Sequence, residues 1–160
     1  ELRASEPNMS FHCEDCSAHH FAETVYQTHQ VIILPPVEFI KEFPDEDVTI
    51  HIDRMRLTQV ITNFLGNAKK FTSQGHIKLG YFCDKEKKEI HFFVEDTGAG
   101  IPKEELQMIF ERFYKRNEFV QGVGLGLAIS KVIVEKMNGH IDVQSEVNKG
   151  SRFTAVLPYL

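Results

Sequence analysis

Cysteine is scarce in this chain of 160 residues. The three present, Cys13, Cys16 and Cys83, are an odd number, which fits a reducing compartment better than a disulfide framework. Excess positive charge is missing as well. The formal net charge is −5, which argues against a general binder of nucleic acid or of an anionic membrane. No apolar run approaches the ~20 residues of a membrane-spanning helix, and the opening ELRASEPNMS has no apolar stretch of the signal-peptide kind. Internal repeats and low-complexity segments are also lacking. What is there is ordinary for a globular domain, with 42% hydrophobic and 26% charged residues. The length is enough to close one sizeable core.

The pair Cys13 and Cys16 is followed at once by His19 and His20. Four such ligands could hold zinc, but structural sites draw their second pair from a separate turn. The spacing reads better as a strand end followed by a helix start.

Residues 1–8 read as a linker closed by Pro7, and 9–14 as a short strand. Residues 17–30 predict a helix capped by Ser17. VEFIKEF (37–43) and DVTIHID (47–53), separated by Pro44-Asp-Glu, predict a hairpin. Residues 54–71 predict a long amphipathic helix with Leu57, Val60, Ile61, Phe64, Leu65 and Ala68 on its apolar face. HIKLGYFCD (76–84) and KEIHFFVED (88–96) predict a second hairpin, and 103–113 a short helix. Residues 125–138 predict a helix stopped by Gly139, and 140–146 with 151–158 a third hairpin. This order is α+β: a two-layer sandwich of a mixed, mostly antiparallel sheet with helices on one face. It is not the strand–helix alternation of a doubly wound parallel sheet.

Gly122, Gly124 and Gly126 stand at alternate positions in QGVGLGLAIS. A dinucleotide fingerprint needs different spacing and a preceding strand, and a P-loop needs a Gly-Lys-Ser/Thr ending. A protein-kinase glycine loop needs a lysine strand and His-Arg-Asp to follow. All of these are absent. What remains is a glycine-rich segment entering a helix, where orphan N–H groups and the helix dipole can hold an anion.

Two other stretches narrow the ligand. Asn63 and Asn67, four apart, project from one helix face, and Lys70 shares it. Two amide oxygens and a cation suit a Mg²⁺–triphosphate, since Mg²⁺ takes oxygen ligands and shares them with substrate phosphates. A solvated helix face is the plain alternative. Asp96-Thr-Gly98-Ala-Gly100-Ile101-Pro follows an apolar strand. A carboxylate there can accept from an adenine amino group, and the glycines allow a sharp turn close to a flat ring.

Together these motifs resemble the catalytic, ATP-binding domain of two-component sensor histidine kinases. That family belongs with gyrase, mismatch-repair ATPases and the heat-shock chaperone. The resemblance spans residues from about 37 to 160. It rests on Asn63–Thr72, Asp96–Pro102, Ile109-Phe-Glu-Arg-Phe113, Gly122–Leu127 and the ending Gly150-Ser-Arg-Phe153 with Leu157-Pro158. It implies the Bergerat-type fold over 9–160, with 1–8 as the connector from a dimerisation helix. It also implies roles. Asn67, with Asn63, holds Mg²⁺; Lys70 reaches a phosphate; Phe71 stacks on adenine. Asp96 reads the adenine amino group, with Ser151 nearby, while Gly98, Gly100 and Ile101 shape the base pocket. Lys115 and Arg116 lie in a lid anchored by Phe110 and Phe113. Gly122, Val123, Gly124, Leu125 and Gly126 meet the phosphates of ATP.

In the hydrolytic relatives a glutamate stands four residues before the second asparagine and activates water. Here that position is Asn63, and an amide is a poor general base. Transfer of the γ-phosphate to a histidine is therefore expected, rather than fast hydrolysis. None of the eight histidines has the His-Glu-x-x-x-x-Pro context of an acceptor. The resemblance thus implies a separate histidine-bearing dimerisation domain, a response-regulator receiver as the next partner, a cytoplasmic location and a monomeric isolated chain. It implies no nucleic-acid partner and no direct membrane contact. A degenerate nucleotide-binding regulatory module and a gyrase-like ATPase stay as alternatives.

Overall fold

The computed structural model of the protein describes residues 10–111 and 126–159. The expected 1–8 connector lies outside them. Strand β1 (Glu14–Ser17) leads directly into helix α1 (Ala18–Gln30). Ser17 closes the strand and caps the helix, its hydroxyl accepting the His20 N–H at 3.0 Å. The sequence reading placed the strand at 9–14; it lies later because Ser17 serves both elements. Cys13 is exposed and Cys16 is buried.

Strand β2 (Val37–Glu42) and strand β3 (Thr49–Ile52) follow. They are not the expected hairpin. β3 pairs antiparallel with β1, with Ile52 opposite Glu14 and Thr49 opposite Ser17. β2 instead forms the edge of the main sheet. The reason lies between them. The Asp47 carboxylate takes the Ser17 hydroxyl and the His19 N–H, and the Ala18 N–H donates to the Val48 carbonyl at 2.9 Å. These bonds tie the segment before β3 to the start of α1 and turn it away from β2.

Helix α2 (Arg54–Phe71) begins at Asp53, whose carboxylate accepts the Arg56 N–H at 3.0 Å and the His12 N–H at 2.8 Å. The apolar face named above is buried in full. Each of its buried Leu, Val, Ile and Phe side chains stabilises the fold by about 1.5–3 kcal/mol.

Strands β4 (Gly75–Asp84) and β5 (Glu89–Asp96) form the expected hairpin, as do β6 (His140–Glu146) and β7 (Gly150–Pro158). The five-stranded sheet runs β2-β4-β5-β7-β6. Only the β2–β4 pairing is parallel. Helix α3 (Gly126–Lys136) ends near Asn138, which takes a left-handed φ of 65° before Gly139. Of the expected 103–113 helix, the described residues 103–111 form one 3-10 turn, Lys103–Glu105, followed by further turns; 112 and 113 lie outside the described residues.

The helices cover one sheet face. Phe21 of α1 meets Phe92 of β5 edge to face at 5.3 Å, and Phe64 of α2 lies 5.4 Å from Phe153 of β7. Ile129, Ile133 and Val134 of α3 join the same core. On the opposite face Phe93 lies beneath the Arg152 guanidinium, 4.0 Å from ring centre to carbon. The consequence for function is positional. The strand ends at Asp96 and Ser151 and the C-terminus of α2 come together at one end of the sheet.

Candidate functional site

Asp96 is the last residue of β5 and is only 9% exposed. Burial pushes its carboxyl above the usual carboxylate range. The Gly98 and Ser151 N–H groups and the Thr72 hydroxyl pull it part of the way back. The Gly98 N–H reaches Oδ1 at 2.8 Å, so the chain turns around this carboxylate immediately after the strand.

The loop that follows is latched on both sides. The Thr97 N–H donates to the His76 carbonyl at 3.1 Å, and the Ala99 N–H to the Phe71 carbonyl at 3.2 Å. The Ala99 carbonyl accepts from the Asn148 N–H at 2.7 Å, and the Ile101 N–H donates to Ser145 Oγ at 2.7 Å. The glycines here serve the protein backbone first. A Cβ on Gly98 would collide with the Phe71 carbonyl, and one on Gly100 with the Glu146 carbonyl. Gly100 also has a φ of +74°, a left-handed conformation that favours glycine. The sequence reading assigned these glycines to a close-lying ring. The structure gives them a prior duty, bringing the loop against the α2 C-terminus and the β6–β7 turn.

Two polar residues of this end were missed in the sequence. Thr72, 5% exposed, turns its hydroxyl toward Asp96 without forming a well-placed hydrogen bond to any described partner. A Cβ on Gly98 would lie 2.7 Å from that hydroxyl. Ser145 occupies the position in β6 that follows Ile141 and Val143 in alternation. A polar residue breaking an apolar alternation was the available signal. Ser145 Oγ lies 2.9 Å from Ser151 Oγ and 3.0 Å from the Gly150 carbonyl.

The amide stripe lies along α2. Asn63 and Asn67 are half-buried, Lys70 is exposed and Phe71 is half-buried. Asn63 Nδ2 donates to the Gly126 carbonyl and to Ser130 Oγ, each at 3.0 Å. A carbonyl only accepts, so the amide nitrogen must be the atom that meets the Gly126 carbonyl, and Oδ1 is left as an acceptor beside Gly126. Asn63 thus joins α2 to the first turn of α3 and still offers an oxygen. Hard amide oxygens of this kind fit a hard divalent cation. Among the described residues no group of three or more His, Cys, Asp or Glu forms an alternative metal cluster. Gly126 is placed at this junction. Lys115, Arg116, Phe113, Gly122, Val123, Gly124 and Leu125 lie outside the described residues.

Residues 52–160 match the model of the "Histidine kinase-, DNA gyrase B-, and HSP90-like ATPase" family. The chain belongs to this family. Among curated relatives, sensor histidine kinase WalK of Bacillus subtilis is 38% identical over 128 residues, covering 77% of this chain and 21% of that protein. Sensor protein SrrB of Staphylococcus aureus is 44% identical over 110 residues, covering 66% of this chain and 19% of its own length. The chain therefore spans about a fifth of these family members. Full-length ShkA, solved in complex with AMPPNP, superposes with a TM-score of 0.89 at 27% identity, covering 99% of this chain and 33% of that one. The nucleotide-free catalytic domain of histidine kinase ThkA gives 0.82 at 28%, covering 93% and 97%. The two-layer fold expected from the sequence is thus the fold of the histidine kinase catalytic domains.

Proposed function

We propose that this chain is the ATP-binding catalytic domain of a sensor histidine kinase. It holds Mg-ATP for transfer of the γ-phosphate to a histidine on a separate dimerisation domain. The observation that carries the reading is the buried Asp96 carboxylate at the mouth of a latched loop. Its free acceptor capacity suits the amino group of adenine. Phe71, which meets that loop through its carbonyl, is the stacking candidate, and Ser151 lines the same end. Ile101, with Gly98 and Gly100, forms the wall of the base pocket.

The phosphates would then lie toward the α2–α3 junction. Asn67 and Oδ1 of Asn63 would hold Mg²⁺, and Lys70 would meet a phosphate. The glycine segment 122–126 and the pair Lys115 and Arg116 complete the proposed phosphate end. Bound there, Mg²⁺ would neutralise charge on the phosphates. Phosphoryl transfer depends mostly on such positioning and charge neutralisation.

Asn63 bears on the type of reaction. Both N–H bonds of its amide are committed to α3, and an amide does not take a proton at neutral pH. This chain accordingly holds ATP without activating water at that position. A neutral imidazole would supply the lone pair of its unprotonated ring nitrogen as nucleophile. The proton on its other nitrogen would be released to solvent or to a group of the dimerisation domain, so no base from this domain is needed. The γ-phosphorus–oxygen bond breaks, a phosphorus–nitrogen bond forms, and ADP leaves with the electron pair. The phosphohistidine would pass its phosphoryl group to a response-regulator receiver. No helix among the described residues is long and apolar enough to cross a membrane; a cytoplasmic location is part of the proposal.

Calorimetric titration with ATP, with and without Mg²⁺, tests the reading. Binding strengthened by Mg²⁺ together with slow hydrolysis is expected. No binding would overturn it, and rapid turnover by the isolated chain would favour a gyrase-like ATPase.

A further inference from the structure

We propose that Ser145 is a positioning residue that fixes the direction of the hydrogen bonds in the base pocket. By doing so it makes the pocket selective for a purine with a 6-amino group over a 6-oxo purine. The inference rests on the proposed purine nucleotide site at Asp96.

Asp96, Ser151 and Ser145 stand in one row across three neighbouring strands. Asp96 of β5 is opposite Ser151 of β7, and Ser151 is opposite Ser145 of β6. The Ser145 hydroxyl has one proton and two lone pairs. The Gly150 carbonyl, 3.0 Å away, can only accept, so the proton goes there. The Ile101 N–H, at 2.7 Å, fills one lone pair. The remaining lone pair meets Ser151 Oγ at 2.9 Å. Ser151 must therefore donate to Ser145.

This ordering leaves Ser151 with lone pairs but no proton for the pocket. Beside it, the Asp96 carboxylate is also an acceptor. Two neighbouring acceptors match an exocyclic amino group, or a water oriented to donate to the ring nitrogen beside it. A 6-oxo purine offers an acceptor where the amino group stood and meets repulsion. Without the Ser145 hydroxyl, the Ser151 proton is free to turn into the pocket and donate to a 6-oxo group. Ser145 touches no base itself; it acts through Ser151.

The test is calorimetric titration of the parent and of Ser145→Ala, Ser145→Thr and Ser151→Ala with ATP and with inosine triphosphate. Circular dichroism checks that each variant is folded. One redirected hydrogen bond changes affinity about three- to tenfold. The ATP-to-inosine-triphosphate affinity ratio should fall by that factor in Ser145→Ala and return to the parent value in Ser145→Thr. Ser151→Ala leaves the bonds of Ser145 to Ile101 and Gly150 in place and should lower the ratio as well. A merely structural serine would weaken both nucleotides equally; an unchanged ratio in folded Ser145→Ala overturns the inference. If Ser145→Ala does not fold, an unchanged ratio in Ser151→Ala overturns it alone. A parent chain that binds neither nucleotide overturns the nucleotide reading, and this inference with it.

Discussion

Replacing Asn63 with aspartate keeps the shape of the side chain and removes both of its donors. In the parent these donors reach the Gly126 carbonyl and Ser130 Oγ, each at 3.0 Å. The two losses differ. Ser130 is fully buried, but its hydroxyl can rotate and donate to the new carboxylate. The Gly126 carbonyl has no proton to give and would face an anion across a hydrogen-bond distance. The carbonyl is half-buried and keeps its place in the α3 backbone ladder, but losing the amide donor and setting two acceptors face to face costs about 1–3 kcal/mol. The start of α3 favours negative charge by about 0.3–1 kcal/mol, an opposing effect. The net loss is then about 1–2 kcal/mol. For a chain of this length each kcal/mol shifts Tm by about 2–4 °C, so a drop of about 2–8 °C is expected.

The assay is thermal unfolding of Asn63→Asp and Asn67→Asp at pH 7 and pH 4. Asn67, one turn further along α2, makes no hydrogen bond to α3 among the described residues and serves as the control. The introduced carboxyl at position 63 has its pKa raised by the facing carbonyl. Its protonated form can donate to that carbonyl. The deficit should therefore be full at neutral pH and shrink as pH falls through the raised pKa. A Tm for Asn63→Asp within 1 °C of the control at pH 7, or a deficit indifferent to pH, would refute the tie between α2 and α3.

Asp96→Ala should weaken ATP binding by about 10- to 100-fold by calorimetry, because a charge-assisted bond to the base is lost; equal affinity would remove Asp96 from the base-reading role. ATP affinity should decline on acidification earlier than an ordinary carboxylate would dictate, since burial raises the Asp96 pKa; titrations between pH 7 and 4 measure this. In the same window the folded chain keeps a proton that the unfolded chain has already lost. The Asp96 contribution to stability therefore falls as pH rises through it, and the Tm of the parent relative to Asp96→Ala should fall between pH 4 and pH 7. Gly100→Ala forces a left-handed alanine against the Glu146 carbonyl, and should lower stability by about 2 kcal/mol or more in a denaturant titration.

The elements legible in the sequence were those whose signals are local. α2 shows its apolar spacing within its own 18 residues, though its Asp53 cap was read as the end of a strand, and the β4–β5 and β6–β7 hairpins are joined by short turns. The partners of β2 and β3 were not legible. Their pairing is decided by Asp47 holding Ser17 and His19, a contact between segments 28 or more residues apart. The site divides in the same way. Asn63, Asn67, Asp96 and Ser151 are candidates that a residue type announces. Ser145 and Thr72 matter through where the sheet register and the end of α2 place them, and the sequence holds only a faint trace of that. The glycines were recognised, but their first duty was hidden. Only the folded chain brings the carbonyls of Phe71 and Glu146 against Gly98 and Gly100.

Asn63 links the fold to the chemistry. Position 63 donates to the Gly126 carbonyl of α3, and in the proposed site it also offers an oxygen to Mg²⁺. An amide does both at once. A glutamate, the residue that activates water in the hydrolytic relatives, has no proton to donate at neutral pH and could not hold the Gly126 carbonyl. The lack of a carboxylate at position 63 is therefore coupled to the tie between α2 and α3. Asn63→Glu should not turn this domain into an efficient ATPase. It should loosen the α2–α3 junction first, and the lost alignment of the phosphate end should outweigh any gain from the carboxylate. Unfolding measurements beside steady-state hydrolysis decide this: a stable Asn63→Glu chain with ATP turnover raised tenfold or more would show that the amide serves chemistry alone.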